Sequence, residues 1–290
     1  MPTLETIPAQ AALPEKQRAA LISLLADDDP AVYEIVRSKL LAFGPTASQW
    51  LRPYTLSSDP TLRRRAVEIV VHQARRASDQ RFLDFCQRNG EDLDLEEATG
   101  LLAQTRYPDA NLDAYRALLD TWADELRSRI ESAASTETVL TIINRFVFDK
   151  LSFKGNEHYS FEPDACYLNR IVDKRAGNPI GLCAIYLFLA RRLRLPVAGI
   201  GLPGHFICRY QGSKQELFID CFRRGAFLSK ADCIKYLLQT HIGYADNQLS
   251  PLKPRRILLR MCHNLVSTYG HLEMTDEARR VQRYVRALTK

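Results

Sequence analysis

The N-terminal half of the chain has apolar residues at three- and four-residue intervals. Leu21, Leu24 and Leu25 show this spacing, and it continues from about residue 14 to residue 130. Because one face of an α-helix returns every three to four residues, the pattern predicts helices throughout this region. The first part of the protein is therefore predicted to be all-helical.

A short motif repeats within this helical region. Asp29-Pro30 precedes one amphipathic helix pattern, and Asp59-Pro60 precedes another thirty positions later. In each copy the Asp is suited to cap a helix N-terminus, and the Pro is suited to the first helical position. Arrays of helical hairpins such as HEAT repeats begin their units in this way. We therefore expect a HEAT-like helical array over residues 1–135.

The pattern changes in the second half of the chain. A long apolar helix is predicted over residues 179–193, with Asn178 as its N-cap. Strand patterns follow in VAGIGL, HFICRY and LFIDCF, with a hairpin turn at 211–214 between the last two. Helices are predicted around this small antiparallel sheet and at the C-terminus. The predicted fold class is therefore α+β and mostly helical.

These patterns divide the chain into three predicted parts. Small and hydroxyl residues accumulate at 132–138, which is typical of a linker after the helical array. Residues 136–248 hold the predicted sheet and the helices around it. Residues 249–290 are predicted to form a helical hairpin.

Composition narrows the class of protein. The chain has 290 residues, of which 46% are hydrophobic, and this is enough for a well-packed core. No apolar run reaches the ~18 residues needed to cross a bilayer. The N-terminal stretch also lacks the cationic and apolar regions of a secretory signal. We expect a cytoplasmic protein with no membrane partner.

The charge and the cysteine content argue against further classes of protein and of binding site. The net charge is +6, but acidic residues are interspersed with the basic ones and no aromatic-basic platform is visible, which argues against a nucleic-acid partner. The seven cysteines include no CxxC pair and no His at zinc-finger spacing. No phosphate-binding or dinucleotide-binding motif is present. The sequence therefore predicts neither a metal site nor a cofactor.

Three residue types suited to thiol catalysis follow one another in the second half. Cys183 lies on the predicted apolar helix, His205 opens a strand, and Asp220 closes the next strand. In thiol catalysis an imidazole activates the thiolate and a carboxylate orients the imidazole. The alternative for Cys183 is a core thiol, since Leu182 and Ala184 flank it. The alternative for His205 and Asp220 is a hydrogen-bonded pair kept for structure.

Several short motifs in this region resemble the bacterial SirB family. They are FKGN at 153–156, YLNRIVDKR at 167–175, GNPIGL at 177–182, LARRLRLP at 189–196, LPGHF at 202–206 and FID at 218–220. The resemblance covers about residues 150–288. It implies a transglutaminase-like, papain-type core followed by a tetratricopeptide-like C-terminal hairpin.

The resemblance also implies where a nucleophile should lie. In catalytic members of the wider superfamily, the Cys occupies the N-terminus of the buried helix, where the helix dipole lowers the thiol pKa. Counted without gaps, this position falls on Pro179, and Cys183 lies one turn further along the helix. His205 and Asp220 match the other two positions of the triad.

Two asparagines lie next to the same site. The resemblance marks Asn169 and Asn178 as motif positions, and with Pro179 they are expected to line the pocket. Loop and helix-cap chemistry is the alternative role for both asparagines.

Two functions stay open on this basis. The first is a non-catalytic or degenerate transglutaminase-fold protein that binds a protein partner through its helical surfaces, as a binding or regulatory module. The second is a cysteine-dependent peptidase, amidase or transglutaminase that uses Cys183, His205 and Asp220. A third function is hydrolysis by a water molecule that the His205–Asp220 pair activates. The sequence supplies no metal or second acid to assist this reaction. The first two differ in whether the Cys183 thiol lies within hydrogen-bond reach of His205.

Overall fold

The structure, a computed structural model, describes residues 13–133, 135–156, 162–212, 216–240 and 245–290. Part of the predicted hairpin turn and most of the N-terminal stretch examined for a signal lie outside these residues. The chain divides into two units, Met1–Gln80 and Arg81–Lys290. The predicted boundary near residue 135 lies inside the second unit and stays a prediction.

The first unit is mostly helical in its described residues. It contains α1 (Glu15–Ser23), α2 (Pro30–Ala42), α3 (Pro45–Leu51) and most of α4 (Pro60–Arg88). Both predicted caps are present, since Asp29 Oδ1 accepts from the Ala31 amide and Asp59 Oδ1 from the Thr61 amide, each at 2.8 Å. The buried faces of these helices form a hydrophobic core of their own. The repeated motif thus begins two helices, and the HEAT-like array stays a prediction.

The second unit continues with further helices. They are α5 (Leu95–Arg106), α6 (Leu112–Ile130), α7 (Thr136–Asn144), α8 (Leu168–Lys174) and α9 (Pro179–Arg192). A π-helical turn over Arg145–Lys150 follows α7 directly. α6 packs against both α8 and α9, so the apolar α9 is surrounded by other elements. This burial explains why α9 is apolar on all sides.

Two sheets complete the α+β fold. β1 (Lys154–Gly155) pairs in parallel with β2 (Ala176–Gly177). The larger sheet is antiparallel, with its strands in chain order: β3 (Val197–Leu202), β4 (His205–Gln211), β5 (Glu216–Asp220) and β6 (Ala226–Leu228). The predicted class, α+β and mostly helical, is confirmed.

The larger sheet has helices on both faces. Phe206 and Cys208 of β4 belong to the main core with α9, whereas Ile207 packs in a second cluster with Leu237 of α10 (Lys230–Gln239). Successive side chains of a strand point to opposite faces. The face of each residue near the site can therefore be read from its position along β4 or β5.

The C-terminal part is a pair of packed helices, α11 (Pro254–His271) and α12 (Thr275–Thr289). Their likeness to a tetratricopeptide hairpin stays a prediction. In the described part of the chain, every helix is too short or too polar to span a bilayer.

Candidate functional site

His205 and Asp220 form a hydrogen-bonded pair. His205 Nε2 lies 2.9 Å from Asp220 Oδ2. His205 begins β4 and Asp220 ends β5, and antiparallel pairing brings these two strand ends to the same edge of the sheet. The His205 side chain is 15% exposed, and the Asp220 side chain is 2% exposed. The imidazole therefore reaches the surface while the carboxylate behind it is buried.

The turn after β5 holds the Asp220 carboxylate. Its Oδ1 accepts hydrogen bonds from the backbone amides of Phe222 at 3.0 Å and Arg223 at 3.1 Å. The turn closes through Gly225, whose amide donates to the Asp220 carbonyl oxygen at 2.9 Å and whose φ is +76°. A buried carboxylate needs partners of this kind. Asp220 is thus fixed before any ligand arrives.

His205 is held from the other side by its neighbours. Its carbonyl oxygen accepts from the guanidinium of Arg260 at 2.6 Å. Its ring lies 6.1 Å from the ring of Phe222 and 6.0 Å from that of Tyr236, measured between centroids. Tyr236 is fixed in turn, because its hydroxyl donates to the Pro203 carbonyl oxygen at 2.8 Å. The imidazole therefore stands between two aromatic walls.

The pair opens into a pocket of about 410 Å³ between the end of the sheet and α10. Its lining includes several apolar residues. Besides His205 and Asp220, the polar or charged residues of the lining are Arg223, Asp232, Lys235, Tyr236 and Gln239. The Asp232 carboxylate is already bonded to the amide and hydroxyl of Ser229. The volume lies in the range of small-ligand sites. The pocket can accept a small polar group beside the imidazole.

Cys183 packs against the opposite face of the sheet. Its fully buried Sγ donates to the Phe206 carbonyl oxygen at 3.5 Å. Phe206 belongs to the α9 face of β4, whereas His205 shares the face of Ile207 and α10. No hydrogen bond joins Cys183 to His205 in the described part of the chain. Burial, and then the contact with Cys208, raises the pKa of the Cys183 thiol well above its ordinary value.

The other predicted site residues lie at the start of α9 and in α8. Pro179 occupies the first position of α9, and Asn178 caps it, because its Oδ1 accepts from the Gly181 amide at 2.8 Å. Asn169 is buried in α8, and its Oδ1 has no hydrogen-bond partner among the described residues. The walls of the His205 pocket are formed by other residues. Asn169, Asn178 and Pro179 are therefore not among the residues that line the His205 pocket.

The α10 side of the pocket was not predicted from the sequence. Asp232, Lys235, Tyr236 and Gln239 recur at three- and four-residue spacing, so one helix face could have been identified. That spacing does not tell which strand the face covers. Only the folded structure shows that this helix face lies beside His205.

Comparisons with known proteins agree with this architecture. A family model described as the transglutaminase-like superfamily matches residues 113–263, a segment that includes the sheet and α9. A UPF0162 protein of Xylella fastidiosa (strain 9a5c) is 33% identical over 197 residues, which cover 66% of this chain and 70% of the relative. No solved structure matches the chain significantly.

Two further relatives differ in the share of their length that matches. A UPF0162 protein of Pseudomonas aeruginosa is 28% identical over 138 residues, which cover 47% of this chain and 49% of the relative. F-box only protein 21 of Mus musculus is 32% identical over 148 residues, which cover 48% of this chain and 23% of that protein. The shared segment therefore also occurs inside a much longer polypeptide.

Proposed function

The chain belongs to the transglutaminase-like superfamily, and we propose that it is a non-catalytic or degenerate member, of the SirB kind, that acts as a protein-binding or regulatory module. One observation carries this proposal. Pro179 stands at the position implied for the nucleophile, and the nearby thiol of Cys183 is buried on the face of the sheet opposite His205. A general base needs hydrogen-bond reach to the group that it activates.

The His205–Asp220 pocket is the proposed binding site. Lys235 and Arg223 contribute two cations to its lining. The Asp220 and Asp232 carboxylates also belong to this lining, and Arg223 Nε lies 3.8 Å from Asp220 Oδ2. The lining thus carries charges of both signs, which favours a partner segment that presents both hydrogen-bond donors and acceptors.

The helical surfaces of the first unit are the proposed second contact with a partner. Several large apolar side chains are exposed there, among them Leu56 at 87% and Ile35 at 70%. Such side chains favour a protein-binding surface where they form a contiguous patch. We retain the division into a HEAT-like array (1–135), a core (136–248) and a hairpin (249–290) as part of this proposal, together with a cytoplasmic location.

The relatives support the interpretation of this protein as a binding module. The segment shared with F-box only protein 21 makes up 23% of that protein. A domain that is combined with other sequence in a longer chain is expected to fold and to present its surface in different contexts.

Capture of partners by the full chain tests the proposal. We expect wild-type protein to retain a specific set of proteins from an extract of the native cells, and the variants His205→Ala and Lys235→Glu to lose it. Lys230→Glu is the matched control, because Lys230 is an exposed cation on the same helix that does not line the pocket. Equal capture by all four proteins, or none by the wild type, would contradict the proposal.

The alternative is a cysteine-dependent peptidase, amidase or transglutaminase that uses Cys183, His205 and Asp220. It requires a rearrangement that brings the thiol past the sheet to the imidazole. Amide hydrolysis or transamidation by the wild type, lost in Cys183→Ala but retained in Cys262→Ala, would favour this alternative. Cys262 is an equally buried cysteine outside the site.

A further inference from the structure

Three cysteines from separate elements converge beneath the His205 pocket. Cys183 lies on α9, Cys208 on β4, and Cys221 directly after β5. Their Sγ atoms all lie within 4.8 Å of one another, and those of Cys208 and Cys221 are 3.9 Å apart. The fold brings together three thiols that are 25 and 13 positions apart in the sequence.

The cluster is closed to solvent and includes a hydroxyl without a partner. All three cysteines and Tyr186 are fully buried. Tyr186 lies one turn beyond Cys183 on α9, and the three thiols are its ionisable neighbours. Its hydroxyl has no hydrogen-bond partner in the part of the chain that the structure describes. A buried hydroxyl in this state is costly and often indicates an additional group nearby.

The sulfur positions fit coordination better than a disulfide. Metal–sulfur bonds of about 2.3 Å in a trigonal plane would place the three sulfurs about 4 Å apart. The observed separations need only small shifts to reach this arrangement. A disulfide would require two sulfurs to approach to about 2.05 Å, and it would leave the third thiol and Tyr186 unexplained.

We propose that Cys183, Cys208 and Cys221 bind one thiophilic metal ion, and that Cu(I) fits the site best. Thiolates select soft ions such as Cu(I) and zinc. Structural zinc sites take four ligands, and the described residues offer three here. Cu(I) accepts three sulfur ligands without a fourth.

Tyr186 has a defined role in this site. Each thiol that ligates the ion releases its proton to solvent, so negative charge gathers on the sulfurs. On metal binding, a small shift of the Tyr186 hydroxyl, which lacks a partner among the described residues, would let it donate to one of these sulfurs and offset part of that charge. Such outer contacts typically change metal affinity about 10–100-fold when they are removed.

The ion would also act on the pocket through the backbone. Cys221 follows Asp220 directly, and Cys208 lies in the strand that begins with His205. One bound ion would therefore connect α9 to both strands that carry the pair. Metal loading is expected to reduce local opening of this edge of the sheet.

An anaerobic titration of the reduced full chain tests the site. Cu(I) is supplied against the competing chelator bathocuproine disulfonate, and Zn(II) is titrated in parallel. We expect one equivalent of Cu(I) by native mass spectrometry, a rise in melting temperature, and a shell of three sulfurs by X-ray absorption. Binding of neither ion, or zinc bound in preference to Cu(I), would overturn the proposal.

Variants separate coordination from packing. Cys208→Ser is expected to lose the bound ion, and Cys262→Ala, at a buried cysteine outside the cluster, is expected to keep it. Tyr186→Phe retains the ring and should weaken Cu(I) binding about 10–100-fold while leaving the metal-free protein as stable as the wild type. If Cys208→Ser fails to fold, the shell of sulfur ligands in the wild type and the Cu(I) affinity of Tyr186→Phe still test the proposed site. Unchanged affinity in Tyr186→Phe, or a shell of lighter atoms, would refute the site.

Discussion

The Cys183 thiol donates to the carbonyl oxygen of Phe206 at 3.5 Å, and Phe206 is the neighbour of His205 in β4. The thiol therefore contacts the backbone next to His205, but the thiol and the imidazole lie on opposite faces of β4. Cys183, His205 and Asp220 therefore follow one another in the sequence, but the thiol does not join the other two in a catalytic triad in the structure. The contact with Phe206 also places the thiol in the core with Cys208 and Cys221.

Alkylation should show Cys183 to be an inert thiol. The thiolate is the reactive form of cysteine, and burial raises the pKa of Cys183 well above its ordinary value. We expect iodoacetamide at neutral pH to leave Cys183 unmodified in the native protein and to modify it fully in denaturant. Peptide mass spectrometry measures this residue by residue. Selective labelling of Cys183 in the native state would instead support thiol catalysis.

Gly225 should not tolerate a side chain. Its φ of +76° is unfavourable for other residues, and a Cβ there would lie 2.5 Å from Asn144 Cγ. Asn144 Nδ2 also donates to the Gly225 carbonyl oxygen at 2.6 Å. We expect Gly225→Ala to lower the free energy of unfolding by about 2 kcal/mol or more.

Gly90→Ala is the matched control for this substitution. A Cβ at Gly90 meets nothing within 4 Å, and its φ is not in the left-handed range. Its unfolding free energy should stay within about 0.5 kcal/mol of the wild type. Denaturant unfolding measures both variants. Equal effects of the two substitutions would show that the turn after Asp220 is not constrained.

Much of the fold could be predicted because the local signals were strong. Asn178 and Pro179 set the start of α9, and the short apolar run in HFICRY before the turn at 211–214 set β4 to within one residue. The π-helical turn after α7 was not predicted, since helical periodicity does not distinguish the two forms. The α+β class follows from these elements alone.

The site was harder to predict than the fold. Period-two alternation shows that His205 and Cys208 lie on opposite faces of β4, but it does not tell which helix covers each face. The strand order therefore identified the His205–Asp220 pair, whereas the placement of Cys183 depended on α9 packing. The spacing of Cys183, Cys208 and Cys221 carries no metal motif, so only tertiary structure brings them together.

Asp164 should make stability depend on pH in the acid range. Burial alone would raise its pKa, but hydrogen bonds from Tyr107, Lys174 and Arg170 outweigh burial and lower it. A lowered folded-state pKa stabilises the protein above the unfolded value of about 3.9 and loses that effect as pH falls through the folded value. We expect Asp164→Asn to be less stable than the wild type at pH 7, with the difference shrinking below about pH 4.

Urea unfolding at a series of pH values measures the Asp164 effect. Tyr107→Phe serves as a companion, because it keeps the ring and removes one donor to the carboxylate. It should reduce the pH dependence without abolishing it, since Lys174 and Arg170 remain at 2.9 and 3.0 Å. A difference that is constant from pH 7 to pH 3 would show that the ionisation of Asp164 is not involved.

Arg255 should be one of the most sensitive positions in the second unit. Its buried guanidinium donates hydrogen bonds to four carbonyl oxygens, which belong to Cys86, Asn89, Ala287 and Leu288. These carbonyls lie at the C-terminal ends of α4 and α12, where a helix leaves acceptors without internal partners. A single cation thus satisfies two helix ends.

We expect Arg255→Met to lower the free energy of unfolding by about 3 kcal/mol or more, because it leaves buried acceptors unsatisfied. Arg255→Lys should recover only part of this loss, since one ammonium lacks the planar fork that reaches both helix ends. Arg256→Met is the matched control: Arg256 is exposed, its ion pair with Glu91 is 3.9 Å long, and the change should stay within about 0.5 kcal/mol. Denaturant unfolding compares the three variants. If Arg255→Met unfolded like Arg256→Met, the four carbonyls would have to find other partners, such as water, without loss of stability.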